Sequence, residues 1–171
     1  REDAFKYHIN PINKGKSIYL EKIEERKKQY IYQCISNIDF VGNYHNSSFD
    51  VSQSNYLGEW NKDKLYSNLS HYGNLVLLSD GEADPLVVKE ALISGLGVII
   101  NETSGKNLEA NDFITIIPEN KMSDLLYIEK KMEENRNNSL RNRDKIRKYG
   151  EVRFGWNNLI KNYLNIITNN I

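Results

Sequence analysis

The chain has 171 residues, with 23 Lys and Arg against 23 Asp and Glu, so its formal net charge is zero. This length predicts one domain with a sizeable core, and the balanced charge disfavours nucleic acid or a membrane surface as a partner. A single cysteine, Cys34, excludes an internal disulfide framework, and no apolar run reaches transmembrane length. We expect a soluble, cytoplasmic protein, with peripheral membrane attachment left open for a longer form of the chain.

Short apolar segments that alternate with helical segments predict the fold. Six predicted strands cover residues 4–9, 38–41, 55–57, 75–78, 98–101 and 113–117. Helices are predicted at 17–35, 62–71 and 85–94, and a mostly helical tail covers 119–171, where an apolar stripe follows Trp156. This alternation predicts an α/β, Rossmann-like, doubly wound parallel sheet with strand order 3-2-1-4-5-6 and helices on both faces.

The segment from Ser79 to Gly95 has the strongest functional pattern in the sequence. It follows a buried-strand run, and Asp84 and Pro85 have the residue types of a helix N-cap and a first helical position. The free amides and the positive end of the helix dipole at residues 81–86 would therefore face a ligand above the strand, and phosphate oxygens favour such a position.

Two carboxylates flank this predicted helix start. Glu82 lies in the loop and Glu90 lies in the helix, so hydroxyl groups on either side of a phosphate would suit them. A nucleotide-sugar is such a ligand, with its sugar at Glu82 and its ribose at Glu90. The same residues also fit an ordinary helix start with a solvated cap and a surface glutamate.

The loop after the first predicted strand, residues 10–16, would lie across the topological switch point from residues 80–84. Lys14, and less favourably Lys16, would then face the helix start as a diphosphate clamp. A dinucleotide site is disfavoured because no G-x-G-x-x-G opens a helix, and a P-loop is excluded because its motif does not occur in the sequence.

With these residues in place, the chain resembles the C-terminal, donor-binding half of family-4 glycosyltransferases of the GT-B fold. Their signature is roughly S-x-x-E-x-x-P-x-x-x-x-E-A-x-x-x-G, and each fixed position is filled here, by Ser79, Glu82, Pro85, Glu90, Ala91 and Gly95. The Lys14-Gly15 pair, residues 55–60 and the Phe154-Gly155-Trp156 turn resemble further parts of the family in the same order. The resemblance implies that residues 1–171 form a single nucleotide-sugar donor-binding domain.

The resemblance also implies roles for individual residues. Glu82 would be the catalytic residue beside the reacting sugar, Glu90 would bind the ribose, and Lys14 would bind the diphosphate. Trp60 would lie beside the base, although it equally fits an ordinary packed aromatic, and His8 stands nearest a second phosphate-binding cation of the family. The other predicted donor-binding residues are Gly81, Ala83, Asp84, Pro85 and Leu86.

The implied reaction is transfer of a hexosyl group from a nucleoside-diphosphate sugar, such as a UDP-sugar, to an unknown saccharide, lipid or protein. The family resemblance implies retention of configuration and no metal or other cofactor. Acceptor binding would need an N-terminal domain outside these residues, so the chain alone is expected to bind donor at best. The alternatives are a non-catalytic nucleotide-sugar-binding module and another GT-B enzyme, such as a nucleotide-sugar epimerase or a phosphorylase. A glycosidase that uses Glu82 and Glu90 is disfavoured, because such carboxylates must flank a bond in an open cleft.

Overall fold

The computed structural model describes residues 4–168, which contain one parallel sheet of five strands. The strands are β1 (Asn13–Leu20), β2 (Ile38–Val41), β3 (Tyr72–Leu77), β4 (Gly97–Asn101) and β5 (Ile114–Ile117), in the order β2-β1-β3-β4-β5. Because every neighbouring pair is parallel, all strands end at one edge of the sheet, here named the carboxyl edge. The opposite edge is named the amino edge.

Six α-helices connect and cover these strands within the described residues. They are α1 (Gln29–Tyr32), α2 (Lys62–Asn68), α3 (Leu86–Ile93), α4 (Leu125–Arg141), α5 (Arg143–Phe154) and α6 (Trp156–Thr168). Short 3-10 turns occur at Glu25–Lys27, Leu69–His71 and Glu119–Lys121. Helix α4 packs on β1, β3, β4 and β5, whereas α3 packs on β3 and β4 and against α5.

The core lies along β2, β3 and β4, whose residues are all buried. Continuous burial explains why these strands are apolar runs without alternation, as expected for a parallel sheet that is covered on both faces. Leu75 in β3 lies beside Ile18 on one side and beside Val98 on the other, and the register between β1 and β3 shifts between Asn13 and Ser17.

The predicted six-stranded sheet is wrong in strand number and in order. Residues 4–9 form no strand, and they lie instead against the end of α2, where the Lys6 amide donates to the Tyr66 carbonyl. Residues 55–57 are reduced to one parallel bridge between Tyr56 and Phe40, because they cross β2 at a single point. The predicted parallel α/β character is confirmed.

The first strand of the sheet lies in residues predicted as loop and helix. Asn13–Leu20 is a strand, and the predicted helix at 17–35 is replaced by the end of β1, a 3-10 turn and the single turn of α1. Ser17, Ile18 and Tyr19 are fully buried between β2 and β3, and this pairing overrides the helix propensity of the charged residues that follow. The helices predicted at 62–71 and 85–94 and in the tail are confirmed, with boundaries shifted by one to a few residues.

Helix α6 bears the predicted apolar stripe, with Trp156 at its first position. The helix packs against α5, yet several of its large apolar side chains are exposed: Trp156, Leu159, Ile160, Tyr163, Leu164, Ile166 and Ile167. Within residues 4–168, no helix combines the length and the apolar character that crossing a membrane requires. Residues 1–3 and 169–171, which the predicted domain included, lie outside the described residues.

Candidate functional site

A cleft of about 470 Å³ opens at the carboxyl edge of the sheet. Its walls come from the ends of β1 and β2, from residues 59–65 and from the first turns of α3. Clefts at this edge, at the point where the strand order reverses, are the usual ligand sites of open parallel sheets. Here β1 lies between β2 and β3. The chain passes from β1 to β2 on one side and then crosses from β2 to β3 on the other side of β1.

Close backbone contact between two loops shapes the floor of the cleft. A Cβ added to Gly42, directly after β2, would lie 1.8 Å from the Glu21 carbonyl oxygen, directly after β1. Only glycine leaves room for the two chains to approach in this way. Leu20 and Val41 therefore end side by side, and the residues that follow them line one wall.

Three of the predicted donor-binding residues lie together in this cleft: Trp60, Leu86 and Glu90. The Trp60 ring packs on the core with its centroid 6.3 Å from that of Tyr72, so it is both a packed aromatic and a cleft residue. Its buried indole N–H has no hydrogen-bond partner among residues 4–168. The Leu86 side chain is exposed at the start of α3.

Glu90 is the half-buried carboxylate of the cleft. Within residues 4–168, no group donates a hydrogen bond to its carboxylate. Burial raises the pKa of Glu90 above its ordinary value; the nearby Glu21 adds to this effect, whereas Lys62 opposes it. A carboxylate that is partly desolvated and accepts no hydrogen bond from residues 4–168 is suited to hydroxyl donors from a ligand.

Glu82 lies beside the cleft in a network of ion pairs. Its carboxylate pairs with the Lys27 ammonium and lies 3.3 Å from the Arg26 guanidinium, and it also accepts from the Ser79 hydroxyl. The Lys27 ammonium, on a side chain that is only 2% exposed, also lies 3.3 Å from Glu21, which lines the cleft. Arg26 also pairs with Glu24 at 2.7 Å, so two cations and three carboxylates are held in contact at the carboxyl edge.

Tyr19 fixes the position of this network. Its buried hydroxyl lies 2.5 Å from the Lys27 carbonyl and accepts a hydrogen bond from the Leu78 amide at 3.0 Å. The Arg26 carbonyl accepts from the Asp80 amide at 2.8 Å, so the loops after β1 and β3 are joined at two points. Burial raises the pKa of Tyr19 well above its ordinary value, so the hydroxyl keeps its proton.

The start of α3 differs in detail from the prediction. Pro85 is the N-cap residue and the helix begins at Leu86, so Asp84 is not the cap. The Asp84 carboxylate pairs instead with Lys89, and both Asp84 and Pro85 line a separate cavity of about 30 Å³ beside Phe154. The Val88 amide already donates to the Pro85 carbonyl at 3.2 Å, but the amides of Leu86 and Val87 precede this first bond of the helix and remain available as donors.

Lys14 and His8 lie at the amino edge, so the predicted clamp across the carboxyl edge does not form. Lys14 lies in the first half of β1, and its neighbour Asn13 pairs with Tyr72 at the start of β3. The His8 ring stacks on His71, before β3, at a centroid distance of 3.6 Å. The misplaced first strand is the cause, because a loop predicted to follow a strand actually begins one. Lys16 is committed elsewhere, to the buried Asp39 at 2.9 Å.

Several cations lie at the carboxyl edge: Lys22 lines the cleft, and Arg26 and Lys27 lie beside it, all three in residues predicted as helix. Recognising that Ser17-Ile18-Tyr19-Leu20 is the end of a buried strand would have identified them as loop residues. Gly81, Ala83 and Glu82 lie in the loop after β3, where the carbonyl of Gly81 accepts from Arg26 at 2.8 Å. Ala83 is exposed.

No protein-family model and no curated protein matches this sequence. Solved structures do resemble it. Sucrose-phosphate synthase from Thermosynechococcus elongatus is 15% identical with a TM-score of 0.69, over 98% of this chain and 51% of that one. HepE from Anabaena, in complex with UDP and glucose, is 12% identical with a TM-score of 0.67, over 98% of this chain and 54% of that one.

A third structure is the C-terminal domain of a glycosyl transferase group 1 family protein, LpcC from Francisella tularensis. It is 13% identical with a TM-score of 0.57, over 85% of this chain and 94% of that domain. The chain thus spans about half the length of the sucrose-phosphate synthase and of HepE, but nearly all of the LpcC domain. The chain has the fold of the C-terminal domain of GT-B glycosyltransferases.

Proposed function

We propose that this chain is the donor-binding domain of a glycosyltransferase and takes a nucleoside-diphosphate sugar into the cleft at the carboxyl edge. The observation that carries the proposal is the cleft itself. On a GT-B domain fold, it joins the start of α3, the half-buried carboxylate of Glu90 and the aromatic wall of Trp60. The UDP and glucose in the complex of HepE support a nucleotide-sugar as the ligand class.

Each part of such a donor has a counterpart in this region. Glu90 would accept hydrogen bonds from the ribose hydroxyls, and Trp60 would lie near the base. Arg26, Lys27 and the amides of Leu86 and Val87 would neutralise the diphosphate, in the role predicted for Lys14. Glu82 would turn to the sugar hydroxyls once phosphate oxygens replace it at Lys27.

These groups also suggest how transfer would proceed. The negative charge that develops on the departing diphosphate would be stabilised by two fixed cations and a helix start, without need for a metal. We propose retention of configuration, in keeping with the family-4 signature. The acceptor would bind to a second domain, since the chain spans about half of the sucrose-phosphate synthase and of HepE.

Calorimetric titration of the chain with UDP, GDP, ADP and their sugar conjugates tests the donor site. Glu90→Ala should weaken the binding of the preferred nucleotide by about 1–3 kcal/mol, because hydrogen bonds to a partly buried carboxylate are lost. Glu134→Ala, on the exposed face of α4, removes the same charge outside the cleft and should leave affinity unchanged. The proposal fails if the folded chain binds none of these ligands, and the role of Glu90 fails if both variants bind alike.

A second candidate function is a module that binds the nucleotide-sugar without transferring it. The ion pairs from Lys27 and Arg26 to Glu82 favour this candidate, because they hold Oε1 of this carboxylate and leave only Oε2 for a sugar hydroxyl. Donor turnover by the protein, together with whatever sequence flanks the chain in its gene, separates the two. Binding with neither hydrolysis nor transfer over a broad acceptor panel would favour the module.

A further inference from the structure

A second cavity, of about 580 Å³, opens at the amino edge of the sheet, opposite the cleft. We name it the amino-edge cavity. It lies between the chain before β1, the first residues of β1, helix α4 and the start of α5, and its polar wall contains Lys14, Glu133, Arg136 and Arg143. None of these residues belongs to the proposed donor site, so the cavity is a separate feature of the molecule.

Positive charge is in excess in this cavity. Its lining has three cations, Lys14, Arg136 and Arg143, against one carboxylate, Glu133. Within residues 4–168, none of the three cations forms an ion pair with a carboxylate. The contrast with the carboxyl edge is clear, because Arg26 and Lys27 there are each paired with Glu82.

The backbone is shaped to hold Arg136 in place. A Cβ added to Gly73, in β3, would lie 2.4 Å from the Arg136 Cγ. The aliphatic part of Arg136 therefore packs directly over the glycine, in space that a larger side chain would fill. The guanidinium then donates to the Ser17 hydroxyl at 3.1 Å. Gly15 lines the same cavity, and a Cβ added to it would have no heavy atom within 4 Å, so the space beside it is open. A held guanidinium next to open space can bind an oxyanion in a fixed geometry.

Arg143 strengthens the local field from a buried position. Its guanidinium donates to the carbonyls of Tyr72 and Ser70, and its buried Nε has no partner among the described residues. The carbonyl oxygens accept from its two terminal nitrogens but do not neutralise its charge. Burial lowers the pKa of Arg136, and Glu133 and Glu129 oppose this only in part. The pKa of His71 is also lowered, by burial and then by its neighbours His8 and Arg143.

We propose that the amino-edge cavity binds a phosphate group through Arg136 and Lys14, in the field of the buried Arg143. Phosphate suits this wall because arginine binds its oxygens in a bidentate manner, and because an anion would offset the desolvation of two unpaired guanidinium groups. A cavity of this volume accommodates a small organic body attached to the phosphate.

Two carriers of a phosphate group fit the rim of the cavity. One is a soluble organic phosphate. The other is a lipid headgroup, since Ile9 lines the cavity and is 81% exposed, with Ile12 nearby at 77%. Both carriers require the same cations, and they differ in whether the exposed isoleucines contribute.

The test uses two ligands: inorganic pyrophosphate in solution, and vesicles of phosphatidylcholine with or without phosphatidic acid. For at least one of them, Arg136→Gln and Lys14→Gln should each weaken binding about ten-fold or more. Lys130→Gln removes one positive charge from the exposed face of α4, outside the cavity, and should change affinity little. In amide NMR spectra, pyrophosphate should shift Gly15 and Asn137, separately from any shift of Gly81 and Leu86 that comes from binding at the proposed donor site.

The outcomes separate cleanly. Pyrophosphate binding that depends on Arg136 supports a soluble ligand. Vesicle binding that depends on both Arg136 and Ile9, tested by Ile9→Ser, supports a lipid headgroup. The proposal is overturned if the folded chain binds neither ligand, or if binding is the same in Arg136→Gln, Lys14→Gln and Lys130→Gln. Lys14 is exposed in β1, so its variant remains informative even if Arg136→Gln disturbs the fold.

Discussion

Removal of the Lys27 charge should destabilise the fold, because this ammonium is almost completely buried between two carboxylates. The Lys27 side chain is 2% exposed, and those of its partners Glu82 and Glu21 are 13% and 26% exposed. Breaking a buried pair by removing one partner typically costs about 3–5 kcal/mol. Lys27→Met keeps the apolar stem, and Arg26 still pairs with Glu82, so we expect the lower end, about 3 kcal/mol.

Urea unfolding followed by circular dichroism measures this loss directly. The matched control is Lys131→Met, since Lys131 pairs with Glu134 at 2.7 Å on the surface of α4 and exposed pairs contribute at most about 1 kcal/mol. Adding Glu82→Gln to Lys27→Met should recover at least about 1 kcal/mol relative to the sum of the single changes, because the orphaned carboxylate is then gone. Equal losses for Lys27→Met and Lys131→Met, or strict additivity in the cycle, would refute the reasoning.

Two further predictions concern Glu90 and the glycines. Burial raises the pKa of Glu90 above its ordinary value of 4.5. Ionised Glu90 therefore lowers the free energy of unfolding; this loss is absent below pH 4.5 and is complete once the pH exceeds the folded-state pKa. Glu90→Gln should therefore raise the free energy of unfolding at pH 7 but not at pH 4, as measured by urea titration at both values; a gain at pH 4 of equal size would contradict this. Gly150→Ala should cost about 1–3 kcal/mol or more, because the new Cβ would lie 2.5 Å from the Ile93 amide nitrogen in α3. Gly81→Ala meets nothing within 4 Å and should change stability by less than about 0.5 kcal/mol in the same assay, so similar losses for the two variants would refute the packing argument.

The part of the fold that local sequence determines was predicted well. The passage from β3 through the loop to α3 and Gly95 is a continuous apolar run, a polar loop, a proline and a glycine at φ +81°. Each of these signals acts within a few residues, so the predicted positions are close to those in the structure. In the structure, Leu86 and Glu90 of this passage line the cleft, and Trp60, from a separate segment, joins them there.

The first strand was missed because its stability comes from distant partners. Its first half, Asn13-Lys14-Gly15-Lys16, has the composition of a turn, and its residues are mostly exposed or half-buried. What makes it a strand is non-local, including parallel pairing with β2 and β3 and the bond from Ser17 to Asn74 at 2.5 Å. As a result, Lys14 was predicted at the carboxyl edge instead of the amino edge. Arg26 and Lys27 were predicted inside a helix that the structure does not contain.

The hydroxyl of Tyr19 links the loop after β1 to the backbone amide of Leu78, at the end of β3. Leu78 is fully buried, and its amide donates to the same oxygen that lies beside the Lys27 carbonyl. Any opening of the loop that draws Tyr19 away would also expose that amide to solvent. Hydrogen exchange at Leu78 thus reports how often the Lys27 loop opens, even in a sample that contains no ligand.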